Sequence, residues 1–253
     1  MALWGRRSKY ELPADWEATV GGSVAWWFDF TPEERARLRD LMVRLLGEKR
    51  WEAARGFDLT EEMRLVIAAQ AALLVLELDF SAYRKVGNII VHPTTIVLEG
   101  ERASASAAGL ATDEPMAILG QAAHEGGPIV LVWDETVRNA RHPERGFNVV
   151  FHEFAHKIDM LDGVVDGTPP LATREQAQRW VEVCTKEFED LRAGYGSDLL
   201  RDYAGVNAGE FFAVVTEVFF DRGADLRADR PDLYAVLADF YRQDPASRER
   251  ATR

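Results

Sequence analysis

Residues 149–161 read VVFHEFAHKIDML, and the spacing within that stretch decides how the rest of the chain is read. Val150, Phe151, Phe154, Ile158 and Leu161 recur at helical intervals, so one side of a helix can be held against a core. At about 100° per residue, His152 and His156 fall about 40° apart on the other side, with Asp159 beside His152. Glu153 is turned about 100° away from His152.

Two neutral imidazoles at i and i+4 can converge on one Zn²⁺ at about 2.0–2.1 Å. The carboxylate between them stays off the metal and can take a proton from an activated water. The competing reading is an amphipathic helix with two surface histidines. His-Glu-x-x-His arises by chance in a chain of this size at a rate on the order of one percent, so the zinc reading is preferred.

Such a site needs a third protein ligand and one open position. The other histidines are His92, His124 and His142, and HKIDMLDGVVDGTPP lacks a nearby third histidine of the H-x-x-G-x-x-H kind. Carboxylates further on are better placed, in DYAGVNAGEFFAVVTEVFF (202–220). From Phe211 to Phe220 this segment is apolar nearly all round, which predicts a buried helix. Glu210 and Glu217 share one face of it, about 20° apart. Buried carboxylates are costly unless paired or bound to metal. One as ligand and the other as its support accounts for both. The alternatives are a capping box between Asn207 and Glu210, and a buried ion pair from Glu217 to an arginine.

At 253 residues the chain suits one sizeable domain. A net charge of −12 disfavours nonspecific binding to nucleic acid, which relies on cations meeting phosphates. The run Arg35, Arg37, Arg39 and Arg44 reads as a solvated helix face. No apolar run approaches the roughly 18 residues of a membrane span, and the opening residues show no secretory signal. Cys184 stands alone, which excludes an internal disulfide, suits a cytoplasmic setting and reads as a buried small hydrophobe.

Thr31-Pro32-Glu33-Glu34 predicts a capped helix start, with Leu38, Leu41, Met42 and Leu45 on its buried side. A second start at Thr60 leads into an apolar helix from Met63 towards Leu78. NIIVHPTTIVLEG (88–100) and GPIVLVWDE (127–135) read as strands, with a long loop over 101–127 between them. Helices follow from Phe147, at about 173–191, 208–220 and 231–241, and RQDPASRERATR (242–253) reads as a frayed tail. The order predicts an α+β fold, mainly helical with a small mixed sheet. The expected organisation is a helical N-terminal region (1–86) packed on a core (87–243), with a polar tail (244–253).

NVVFHEFAHKIDMLDG (148–163) together with YAGVNAGEFFAVVTEVFF (203–220) resembles the Mlc titration factor A family of zinc-dependent peptidases. The resemblance extends to NIIVHPTTIVL, GPIVLVWDE and FYRQDP, and so from about Thr31 to Pro245. That family is similar to the anthrax lethal factor catalytic domain, which implies a zincin-like, gluzincin-type core. The resemblance implies one Zn²⁺ per chain held by His152, His156 and Glu210, with Glu153 as general base. It implies that Tyr203, seven residues before Glu210, helps stabilise an oxyanion. Asp159 and Glu217 become supporting residues around the ligands. The implied activity is peptide-bond hydrolysis on a peptide or protein, whether aminopeptidase-like or endopeptidase. A substrate would lie along an edge strand such as GPIVLVW. A transcriptional repressor of sugar-uptake genes is the implied partner, and a regulator-binding protein with a weakly active or structural zinc site is the alternative. Intact Glu153 favours the enzyme, since a structural site has no need of it.

Overall fold

Thr31 begins its helix as expected: its hydroxyl accepts from Glu34 N at 3.2 Å, and the Glu34 carboxylate accepts from Thr31 N at 2.9 Å. The computed structural model describes residues 10–54, 56–94 and 127–248. In chain order the elements are α1 (Trp16–Ser23), α2 (Pro32–Glu48), β1 (Arg50–Ala53), α3 (Glu61–Leu74), β2 (Asn88–His92), β3 (Ile129–Val132) and α4 (Trp133–Arg141). Then come α5 (Val149–Asp159), α6 (Arg174–Asp190), α7 (Ala208–Asp221), α8 (Gly223–Asp229), α9 (Pro231–Tyr241) and α10 (Pro245–Arg248). The fold is α+β, mainly helical, and the described strands form a parallel sheet in the order β1-β2-β3.

The sheet register sets Trp51 beside Ile89 and Ile89 beside Ile129, with Val91 beside Leu131. Ile89, Val91, Ile129 and Leu131 alternate onto one buried face, the period-2 pattern of a half-covered sheet. β1 is not foreseen by the sequence reading, because Arg-Trp-Glu-Ala carries no β-branched residue. GPIVLVWDE supplies less strand than expected, since the chain turns straight from Val132 into α4 at Trp133. Asp134 and Glu135 in the first turn and Arg138 and Arg141 in the last suit the dipole of that helix. The expected 101–127 loop lies outside the described residues but for Gly127, as do the end of NIIVHPTTIVLEG and residues 249–253.

One apolar core runs from Val20 and Trp27 through α3 to Phe219 and Leu237. Every residue of α3 from Leu65 to Leu74 is buried. The arginine run of α2 is neutralised on the surface, by Arg35–Glu17, Arg37–Glu77, Arg39–Asp40 and Arg44–Glu48 pairs at 2.7–3.1 Å. Cys184 is buried among apolar side chains, and burial, with Glu187 adding, pushes its thiol up to about 12. Among the described residues no helix is long and apolar enough to cross a membrane.

The helix read as held against a core by one side is buried along its whole length, Val149 to Asp159, which sets aside the competing reading of two surface histidines. α5 packs against α3, α7 and β3, so its polar side faces protein. Both ends are held. Asn148 Oδ1 accepts from Val150 N and Phe151 N, each at 3.1 Å, and its amide donates to Gln70 Oε1 at 3.0 Å. At the other end Arg84 donates to Leu161 O at 2.6 Å and Lys85 to Met160 O, placing cations where the helix dipole is negative. The stretch after Tyr241, expected to fray, is docked through residue 248. Gln243 Nε2 donates to Leu73 O at 2.8 Å, and Arg248 pairs with Glu34 at 3.0 Å.

The loop after α5 is pressed onto the start of α7 at Gly167. Its φ is +75°, a Cβ there would lie 2.3 Å from Ala208 O, and Trp180 Nε1 donates to Gly167 O at 3.0 Å. Gly167→Ala combines left-handed backbone strain with overlap on a backbone oxygen. It should lower stability by about 2–4 kcal/mol in urea unfolding, whereas Gly163→Ala, with open space around it, should lose less.

Candidate metal centre

α7 begins where the sequence places it. Asn207 Oδ1 accepts from Glu210 N at 2.9 Å, which fixes the first turn and aims the Glu210 side chain across to α5. There Glu210 Oε2 lies 3.1 Å from His152 Nε2 and 3.4 Å from His156 Nε2, and the two Nε2 atoms are 3.2 Å apart. All three residues are buried. Four ligands at about 2.0–2.1 Å around a tetrahedral ion are about 3.3–3.4 Å apart, so these atoms have the spacing of one face of such a site. His152, His156 and Glu210 could therefore hold a metal ion together; they are the group of this kind among the described residues. His142 instead faces Glu144 on the surface at 3.0 Å, and His124 lies outside the described residues.

The donor chemistry fits a cation. Glu217 Oε1 is 2.7 Å from His152 Nδ1, and a carboxylate can only accept, so the proton there sits on Nδ1. Nε2 is then the atom turned towards Glu210 and His156. With no cation among them, burial pulls the His152 pKa down, but Glu217 and Glu210 outweigh it and hold it at about 10. A divalent ion would take the place of the Nε2 proton and balance the carboxylate charge itself.

Glu217 is fully buried on α7 and held from three directions. Oε2 accepts from Asn148 N at 2.7 Å, and Arg201 donates to both oxygens, at 3.0 and 2.7 Å. Burial alone would raise its pKa, yet Arg201 and His152 together bring it below the usual value. Tyr203 sits on the short turn Asp202–Gly205 with its ring 6.1 Å from that of His152. Burial first, with the Glu210 and Glu153 carboxylates adding, raises the pKa of its phenol, which keeps the O–H as a donor.

Glu153 is buried; its charge adds to the rise of the Tyr203 pKa, while burial lowers that of Lys157 and Glu153 offsets only part of the fall. Lys157 is buried too, and donates to Gly127 O at 2.7 Å, two residues before β3. Asp159 sits apart in role: its Oδ2 accepts from Gly167 N at 3.0 Å, so it ties the end of α5 to the loop that seats α7. The fold brings His152, Glu153, His156, Glu210, Glu217 and Tyr203 into one neighbourhood; spacing pointed to all of these but Tyr203, to which only the family resemblance pointed, and the sequence gives no sign of Arg201, Gln70 or Lys157. Asn148 was open to prediction as a helix cap standing just before an apolar-periodic run.

A family model described as glucose-regulated metallo-peptidase M90 matches residues 2–242, so the match includes the residues ahead of Thr31. An uncharacterised protein of Synechocystis sp. is 33% identical over 248 residues, covering 96% of this chain and 89% of its own. Mlc titration factor A of Serratia proteamaculans is 33% identical over 225 residues, covering 85% of this chain and 83% of its own. Mlc titration factor A of Salmonella typhi is 30% identical over 245 residues, covering 94% and 90%.

Two outcomes test this geometry. Glu210→Gln should weaken divalent-metal binding far more than Glu217→Gln, whose loss should stay within the roughly 10–100-fold typical of a supporting partner, read by chelator competition. The second concerns Asp159, whose carboxyl is pushed up to about 7, by burial first, against the Gly167 N–H and with Asp166 and Asp162 adding. An acid whose pKa is raised by folding contributes stability below its unfolded value of 3.8 and loses it as pH rises through about 7. The stability difference between wild type and Asp159→Asn, from urea unfolding of metal-free protein, should therefore shift in favour of the variant between pH 4 and pH 7 and then level off.

Proposed function

This chain belongs to the glucose-regulated metallo-peptidase M90 family, and from that premise we propose that it is a zinc-dependent peptidase of gluzincin type. The observation that carries the reading is the convergence of His152 Nε2, His156 Nε2 and Glu210 Oε2 within 4.8 Å of one another, beside Glu153 and Tyr203. A catalytic zinc site has three protein ligands and an open position, and a buried non-ligating carboxylate next to it is what a hydrolase needs.

The chemistry that a bound zinc ion supplies is Lewis acidity towards a carbonyl oxygen and towards water. Glu153 takes the proton from the attacking water and hands it to the leaving amine. Its place on α5, one residue from His152, fixes it to the same rigid element as two of the ligands. Tyr203 donates its O–H to the scissile carbonyl oxygen as negative charge develops there. The raised pKa of the phenol keeps that proton available across the neutral range. The peptide lies in extended form along β3, and Lys157, bonded to Gly127 O, keeps the approach to that strand in register with Glu153.

A second activity is supported by the name that the Serratia and Salmonella relatives carry, Mlc titration factor A. On this reading the chain also binds a transcriptional repressor of that type, in the cytoplasm, and binding and cleavage are separate properties of one molecule.

Glu153→Gln separates the two. It should retain zinc and repressor binding while kcat on a peptide library falls by roughly 10²–10⁴. Tyr203→Phe should lower kcat by about 10²–10³ with little change in KM. Zinc-loaded wild type that cleaves no peptide in the library would sink the enzyme reading, and calorimetry against a purified repressor decides the second.

A further inference from the structure

Arg201 lies outside the group that could hold the ion, yet it touches the parts that must be aligned around it. Its guanidinium forks onto Glu217, NH1 to Oε2 at 3.0 Å and NH2 to Oε1 at 2.7 Å. A carboxylate offers about four acceptor positions. On Glu217 the other two are taken by Asn148 N and His152 Nδ1, each at 2.7 Å. The Glu217 carboxylate is therefore saturated, and neither oxygen can rotate without giving up two bonds.

The same guanidinium lies 4.6 Å from the Phe147 ring and 5.9 Å from the Tyr203 ring. Phe147 directly precedes the cap of α5, and Tyr203 lies two residues after Arg201 on the turn Asp202–Gly205. One side chain thus spans the entry to α5, the middle of α7 and the turn that carries the phenol. An ammonium could replace its charge, but a single point donor cannot fill both carboxylate oxygens in a plane while stacking on two rings.

We propose that Arg201 is a positioning residue of the metal site: acting through Glu217, it fixes the orientation of the His152 ring and holds the Tyr203 turn against it. This rests on the reading of the site as a zinc centre. Because Arg201 acts through Glu217, its effect on zinc must vanish once Glu217 no longer offers an oriented carboxylate.

The test uses the full chain as wild type, Arg201→Met, Arg201→Lys, Glu217→Gln and the double variant Arg201→Met/Glu217→Gln. Zinc alone is the probe, in competition with a chromogenic chelator, and the visible absorption of the cobalt-substituted protein reports ligand geometry. Arg201→Met should weaken zinc by roughly 10–100-fold and alter the cobalt spectrum, and Arg201→Lys should fall between it and wild type. In the Glu217→Gln background, Arg201→Met should add less than about 3-fold. Wild-type zinc affinity in Arg201→Met, or an equal loss with and without Glu217, would overturn the proposal. Should Arg201→Met fail to fold by circular dichroism, Arg201→Lys decides: intermediate affinity upholds the fork, and wild-type affinity overturns it. None of these readouts needs peptide cleavage. Wild type that binds zinc but cuts nothing defeats the enzyme reading alone, unaltered affinity in the variants defeats this inference alone, and wild type that binds no zinc defeats both.

Discussion

A carboxylate with no solvent exposure, on a helix built mainly of Phe, Val and Ala, is the constraint around which the site is arranged. Glu217 can stay ionised at that depth only because it meets a guanidinium, a backbone N–H and an imidazole N–H at once. Breaking one partner of such a buried pair typically costs about 3–5 kcal/mol, a large share of the roughly 5–15 kcal/mol that keeps a domain folded. The elements that supply those partners are therefore not free to drift. The start of α5, the centre of α7 and the segment before the Tyr203 turn are locked together by a single charge.

From that charge the order spreads in two directions. Inward, Asn148 passes its amide to Gln70, a buried side chain of α3 that bonds back to Val66 O in its own helix. The site is thereby tied to a helix whose residues from Leu65 to Leu74 are all buried. Outward, His152 turns its other nitrogen to Glu210 and His156. Polar groups that would be a liability in a core become tolerable because each has a partner, and the chain of partners ends on the three residues that could together hold a metal ion.

The sequence was most informative where one feature had to satisfy two requirements at once. His152 and His156 at helical spacing, and Glu210 and Glu217 on one face of an apolar helix, are odd enough to be read from pattern alone. Glu217 admitted two readings, support for a ligand or an ion pair with an arginine, and in the fold it makes both sets of contacts. Arg201 was illegible because nothing local marks it. Its partner is sixteen residues away across a turn, and arginines are common enough that one more in a loop carries no signal. β1 escaped for the opposite reason: its pairing comes from β2 and not from its own residues. That the polar side of α5 is covered was likewise illegible, because periodicity tells which residues share a face, not whether a second helix covers it.

The two ends of α5 are secured by Asn148, Arg84 and Lys85, none of which belongs to the group of atoms that would surround an ion. The helix is thus placed in part by contacts made outside that group. In small zinc modules the ligands themselves are the main fastening, so binding and folding are one event. Here the helix that carries two of the candidate ligands has fastenings of its own at both ends, on elements other than the one that supplies Glu210.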